Sequence, residues 1–197
     1  VCEELSHARN LAMVMQVVRR VARELTGADG ATIVLLEHGA DGDYCHYADE
    51  DAIGPLWKGK RFPVESCISG WAMVNKRTVV IGDVLTDDRI PQDLYAPTFV
   101  RSLVMSPIQR NNPIGAIGTY WKDKREPTPV EVWMLDALAD ITAVNIALVE
   151  LHASLEARIA ARTTELETRN KEQTANLVYA NRIQQALLPP TRKMLDL

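Results

Sequence analysis

The sequence predicts an α+β domain with an antiparallel sheet, followed by one long helix. Short β-branched runs come in hairpin-like pairs with turn signals between them. Helical periodicity lies at the two ends rather than between the strands, unlike the alternation that gives a parallel sheet. From Val130 to Leu188 neither proline nor glycine interrupts the chain.

Residues 1–26 read as a helix, with Leu5, Leu11, Val14, Val18, Val21 and Leu25 recurring mostly at three- and four-residue steps and Gly27 as the C-cap. Ala31–Glu37 is a buried strand. Asp41-Gly42 marks a turn, and Asp43–Ala48 alternates as the returning strand. Asp49–Pro63 reads as irregular, with Trp57 as its apolar anchor. Ser66 is placed to cap a short helix through Asn75. Thr78–Gly82 is a small strand, and Asp83–Pro97 a polar loop or short helix. Arg101–Arg110 and Pro113–Trp121 are strands joined at Asn111-Asn112. Gly115 and Gly118 in the last strand leave room for something to pack closely. Thr128-Pro129-Val130-Glu131 is a capping box with proline at the first helical position, and Pro189-Pro190 ends the helix it opens. That helix of about 60 residues spans roughly 90 Å.

The 197 residues are 47% hydrophobic and 24% charged, with a net charge of −4. This suits one domain of about 150 residues plus an appendage. No basic stripe marks a nucleic-acid partner. No uninterrupted apolar run reaches the roughly 18 residues of a membrane span, and no signal peptide is visible, so a cytoplasmic location is expected. The chain starts at Val1 inside an amphipathic pattern and reads as a fragment cut at both ends. Cys2, Cys45 and Cys67 are odd in number and unclustered, which argues against a disulfide framework or a zinc site.

The long helix has a heptad reading. Leu148, Leu155, Arg162, Arg169, Asn176 and Ile183 share one seam position; His152, Ile159, Leu166, Gln173, Ala180 and Leu187 share the other. Apolar ends and a polar middle fit a dimeric signalling coiled coil and, equally, a weak spacer rod. A parallel homodimer through the terminal helices is expected, because the exposed half needs a partner to bury its leucines.

The stretches Cys67-Ile68-Ser69-Gly70-Trp71, Thr78–Val84, Asp87-Asp88-Arg89-Ile90, Phe99–Ile108 and Ile114–Gly118 together resemble a GAF domain, over roughly Leu5–Val149. The resemblance implies a six-stranded antiparallel sheet between helices, a small-ligand pocket on one face and a regulatory role. Asn181-Arg182-Ile183-Gln184-Gln185-Ala186-Leu187-Leu188-Pro189 is similar to the entry segment of bacterial PPM-type serine phosphatases that control partner switching and sporulation. The division is then 1–149 sensory domain, 150–188 signalling helix and 189–197 the start of a truncated output domain. That family's metal-binding aspartates would lie further on, so no phosphatase turnover is expected of this chain.

The candidate ligand-binding residues are Trp57, Phe62, Cys67, Trp71, Asp83, Arg89, Tyr95, Phe99, Arg101 and Trp121. The aromatics supply apolar walls, the arginines fixed positive charge and Asp83 an acceptor, although aromatics beside a sheet serve as core just as often. The ligand is expected between the sheet and Glu65–Arg101, touching Trp71, Phe99 or Arg101. No metal-ligand cluster or nucleophile–base motif appears, and no cofactor is required. Some GAF photoreceptors attach a bilin through cysteine, and one GAF family reduces free methionine sulfoxide with cysteines; here Cys45 and Cys67 would serve. Asn75-Lys76 and Phe99 match part of the cyclic-nucleotide GAF pattern, but Leu103-Val104 stands where its acidic pair belongs. The alternatives to the phosphatase regulator are the input domain of a histidine kinase, a bilin photoreceptor and a thiol-based methionine sulfoxide reductase.

Overall fold

A computed structural model describes residues 2–187 of the chain, which divides into a unit up to Val149 and a unit from Glu150. The first unit opens with α1 (Cys2–Ser6) and α2 (Leu11–Thr26). One helix was expected over this stretch. The break falls before Asn10, whose extended backbone lets its side chain accept from the Met13 amide and start a new helix. Gly27 caps α2 with φ 61°, a conformation glycine adopts without steric cost. Val14, Val18 and Val21 are buried as their spacing predicts; Leu25 is exposed, and Thr26 takes the interior position instead.

The sheet has six antiparallel strands in the order β3-β2-β1-β6-β5-β4. They are β1 (Gly30–Gly39), β2 (Gly42–Ala52), β3 (Arg61–Pro63), β4 (Val79–Ile81), β5 (Ser102–Ile108) and β6 (Gly115–Trp121). The β2 strand runs past Ala48, where the sequence alternation ends. The register jumps from Ile33↔Asp49 to Val34↔Tyr47, so Ala48 is an extra, bulged residue that resets the alternation. β3 falls in a stretch read as irregular; it is three residues on the sheet edge, too short to show a period. The Asn111-Asn112 turn widens to the segment 109–114, with Gln109 at φ 61°.

α3 (Ile68–Val74) and α4 (Gln92–Tyr95) lie in the segments that cover one sheet face. Cys67 rather than Ser66 is the N-cap of α3; Ser66 sits in a 3-10 turn and donates its hydroxyl to the Pro63 carbonyl.

α2 and the start of α5 (Pro129–Leu187) cover the other face. The capping box forms as read: the Thr128 amide donates to Glu131 Oε2 at 2.6 Å, and the Glu131 amide to Thr128 Oγ1 at 3.3 Å. Leu135, Leu138, Ala139 and Ile146 pack with Ile33, Val104 and Ile117. Asp136 pins the helix, accepting from Ser106 Oγ at 2.7 Å and from Thr78, and pairing with Arg110 at 3.0 Å. α5 contains an 18-residue window apolar enough to cross a membrane by length and composition. Only 28% of that window is buried within the structure.

In the second unit α5 continues as one helix to Leu187, with Leu155, Ile159, Leu166, Leu177 and Ile183 exposed in the single chain. The ion pair found here is Arg162–Glu165 at 2.6 Å. Pro189 and Pro190, read as the helix stop, lie outside the described residues, as does the 189–197 segment.

Candidate functional site

Strand alternation decides which side chains meet beneath α3. β2 contributes Cys45 and Tyr47, β5 contributes Leu103 and Met105, and β6 contributes Ala116 and Tyr120. Over them Trp57 stands among three tyrosines, with ring centroids 4.8 Å from Tyr95, 5.4 Å from Tyr47 and 5.6 Å from Tyr120. Phe62 meets Tyr47 edge-on at 5.5 Å. Edge-to-face contacts of this kind add about 0.5–1.5 kcal/mol each to the burial of the rings.

The polar tips of this cluster are mostly satisfied. Trp57 Nε1 donates to the Leu94 carbonyl at 3.3 Å. The Tyr120 hydroxyl bonds Thr32 Oγ1 at 2.8 Å, and the Tyr47 hydroxyl bonds Ser69 Oγ at 3.2 Å. The Tyr95 hydroxyl is different: it is buried with no hydrogen-bond partner among the described residues. Burial, the largest cause in each case, raises the pKa of all three phenols, so they act as neutral hydrogen-bonding groups.

Two free thiols adjoin the same cluster. Cys45 and Cys67 are both buried in this cluster. Ser69 Oγ lies 3.2 Å from Cys67 Sγ, and Cys67 Sγ lies 3.7 Å from the Pro63 carbonyl oxygen. The two thiols shift in opposite directions. Cys45 is raised by Cys67 and by burial. Cys67 is lowered to about 7, first by Cys45 and then, against burial, by Ser69 and by the amides of Ser69 and Gly70.

The structure brings Trp57, Phe62, Cys67 and Tyr95 together, with Trp71 and Phe99 half-buried against the same cluster. Trp121 belongs to the opposite face, packed with the α2/α5 core and with Arg125 4.8 Å above its ring. It is one residue out of phase with Tyr120, so the pleat directs it away. Asp83 braces its loop through the Leu85 amide, Lys124 and Arg101 rather than facing the cluster. Arg89 is clamped by Asp87 and stacks over Trp71, with Arg77 also against that half-buried ring. Phe99 packs against Gly30 and Gly54.

The room inferred at the β6 glycines is taken. A Cβ on Gly118 would meet the Tyr120 hydroxyl at 2.5 Å and Met105 Cε at 2.8 Å; on Gly115 it would meet the Val34 carbonyl oxygen at 2.3 Å. The glycines admit neighbouring protein atoms. Tyr47, Ser69 and Tyr120 were missing from the sequence-derived site, although Tyr47 is two residues from Cys45, and Tyr120 two from Gly118. Among the described residues no group of three or more His, Cys, Asp or Glu side chains is placed to hold a metal. The flank of α5 between Glu167 and Arg182 is the side of one helix with no opposing wall, so it encloses no site.

A family model described as GAF domain matches residues 8–147. The chain belongs to the GAF domain family. Members are sensory and regulatory modules, and that general role carries over to this GAF domain. Its fold is shared with the X-ray structure of free methionine-R-sulfoxide reductase from Neisseria meningitidis in complex with its substrate. That match has a TM-score of 0.65 and 18% identity, over 77% of this chain and 86% of that one. The GAF-B domain of DevS from Mycobacterium smegmatis matches with a TM-score of 0.58 and 20% identity, over 76% of this chain and 99% of that one. The GAF domain of an Acinetobacter phosphoenolpyruvate-protein phosphotransferase matches with a TM-score of 0.65 and 13% identity, over 77% and 91%. At these identities the likeness establishes the fold. No curated protein sequence gives a significant match.

Proposed function

We propose that this GAF domain is a cytoplasmic sensor of a small polar molecule. The molecule binds among Trp57, Tyr95 and Cys67, and α5, paired in a parallel homodimer, relays its occupancy to a C-terminal output domain. The Tyr95 hydroxyl carries the ligand reading: it is buried among aromatic rings without a partner. Such a group costs about 1–3 kcal/mol, which a ligand supplying a hydrogen-bonding atom at that point removes. The relay reading rests on α5, which is continuous from Leu135 and Ile146 in the sheet core to Leu155, Ile159 and Leu166, exposed in the single chain. A second copy would bury those side chains, and a ligand-driven shift of the core would bias their packing. The output is a PPM-type serine/threonine phosphatase, a reading supported by the likeness of Asn181–Pro189 to the entry of that domain.

Native mass spectrometry of the purified chain and of Tyr95→Phe tests the ligand reading. The wild-type protein is expected to carry a small bound species. Phenylalanine should weaken its retention at least tenfold, about 1.4 kcal/mol, and leave the melting temperature unchanged or higher. A wild-type protein without a bound species, or equal retention by both proteins, would contradict it.

A further inference from the structure

α3 and α5 pack on opposite faces of the sheet, yet a set of polar contacts joins them. α3 closes with Lys76 in the left-handed conformation, at φ 53°. The Lys76 amide donates to the Met73 carbonyl and the Arg77 amide to the Ala72 carbonyl, each at 3.1 Å. Glycine would take this conformation without steric cost. The lysine instead places a long donor there, and its Nζ reaches the Asn111 carbonyl at 2.9 Å. Neighbours of both residues in this clasp converge on Asp136 of α5. Thr78, two residues past Lys76, donates its hydroxyl to Asp136 Oδ1, which also accepts from Ser106 of β5 at 2.7 Å. Arg110, next to Asn111, pairs with Asp136 Oδ2 at 3.0 Å.

We propose that Asp136 is the positioning residue that couples α3 to α5, so that a displacement of α3 over the aromatic cluster carries the first turns of α5 with it. The purpose of this coupling rests on the sensor reading above, to which it adds a route from the ligand face to the long helix.

The contacts differ in what they transmit. Leu135, Leu138 and Ala139 hold α5 to the sheet by apolar packing, which has no preferred direction. The bonds to Asp136 are directional, and all three donors meet one carboxylate, two of them through a single oxygen. On the other side, Met73 is buried in the aromatic cluster. Its carbonyl and that of Ala72 bind the amides of Lys76 and Arg77, so the last turn of α3 and the residues leading to Thr78 move as one piece. A change beneath Met73 thus arrives at Thr78 and crosses to α5 by one hydrogen bond.

The experiment uses the whole isotope-labelled chain and reads amide chemical shifts by NMR, which report native geometry rather than stability. Met73→Ala disturbs α3 from beneath with no ligand added. In the otherwise wild-type chain it should shift amides of α3 and also those of residues 132–140. In Thr78→Val, which loses the hydroxyl at nearly constant shape, Met73→Ala should still shift the α3 amides, while the response of α5 is lost. Thr78→Ser keeps the donor and should keep that response. An α5 response absent from the wild-type background, equally large in Thr78→Val, or missing in Thr78→Ser would overturn the proposal. Should Met73→Ala fail to fold, Met73→Leu reshapes the same contact at nearly constant volume and is read in the same way. The outcome is separate from native mass spectrometry of the Tyr95 site. A chain with no bound species contradicts the sensor reading and leaves the coupling between α3 and α5 measurable.

Discussion

Gly70→Ala is expected to destabilise the domain by about 3 kcal/mol or more, seen as a large fall in the urea midpoint with an unchanged slope. Helix propensity alone predicts the opposite sign, since alanine is favoured over glycine by about 1 kcal/mol within a helix. The close approach of the chain decides the matter. A Cβ at Gly70 would stand 1.8 Å from the Val64 carbonyl oxygen, 2.6 Å from its carbon and 2.8 Å from Val64 Cα. All three are backbone atoms, so no rotamer change relieves the overlap. The 3-10 turn Val64–Ser66 would have to move off α3, disturbing the loop that presents Cys67. An unchanged or raised midpoint would show that turn and helix are not packed this closely.

Trp57→Ala is expected to cost about 3–5 kcal/mol, the range for removing a large buried aromatic side chain. Trp57 is 3% exposed, touches the rings of Tyr47, Tyr95 and Tyr120, and ties the covering segment to the sheet through the Leu94 carbonyl. Its loss leaves a cavity at the centre of the cluster and an unpaired carbonyl at its edge. Trp57→Phe keeps most of the ring contact and loses only the donor and part of the volume, so a smaller cost is expected. Denaturant unfolding of both variants checks the order. A cost below about 1 kcal/mol for the alanine variant would mean that this cluster is not the core of the covered face.

The parts of this fold visible in the sequence are those set by local chemistry. Thr128 and Glu131 are three residues apart, and no distant residue is needed to make their reciprocal bonds. Gly27 and the Asp41-Gly42 turn are likewise local signals. The parts that were missed depend on long-range pairing. The bulge at Ala48 becomes visible only once β1 lies beside β2, and β3 is defined by its neighbour rather than by a pattern of its own.

The candidate site divides in the same way. Trp57, Tyr95 and Cys67 stood out by residue type, and the structure brings them together. Trp121 also stood out by type, yet strand phase sends it to the other face, while Tyr120 next to it enters the cluster. Gly118 admits the close packing read from it, but the partners are Tyr120 two residues on and Met105 of the adjacent strand rather than a ligand. Residue type alone says that a glycine leaves room, but the neighbours decide what occupies it.

The central claim is that α5 works as a paired helix joining a sensory core to an output, and the solution mass of the chain tests it most directly. Light scattering on the purified chain at tens of micromolar is predicted to give twice the 22.0 kDa chain mass. Leu155→Glu with Ile159→Glu should return it to the single-chain value. A wild-type mass of 22.0 kDa at that concentration would contradict the account, because the exposed apolar positions of α5 would then have no second copy to bury them.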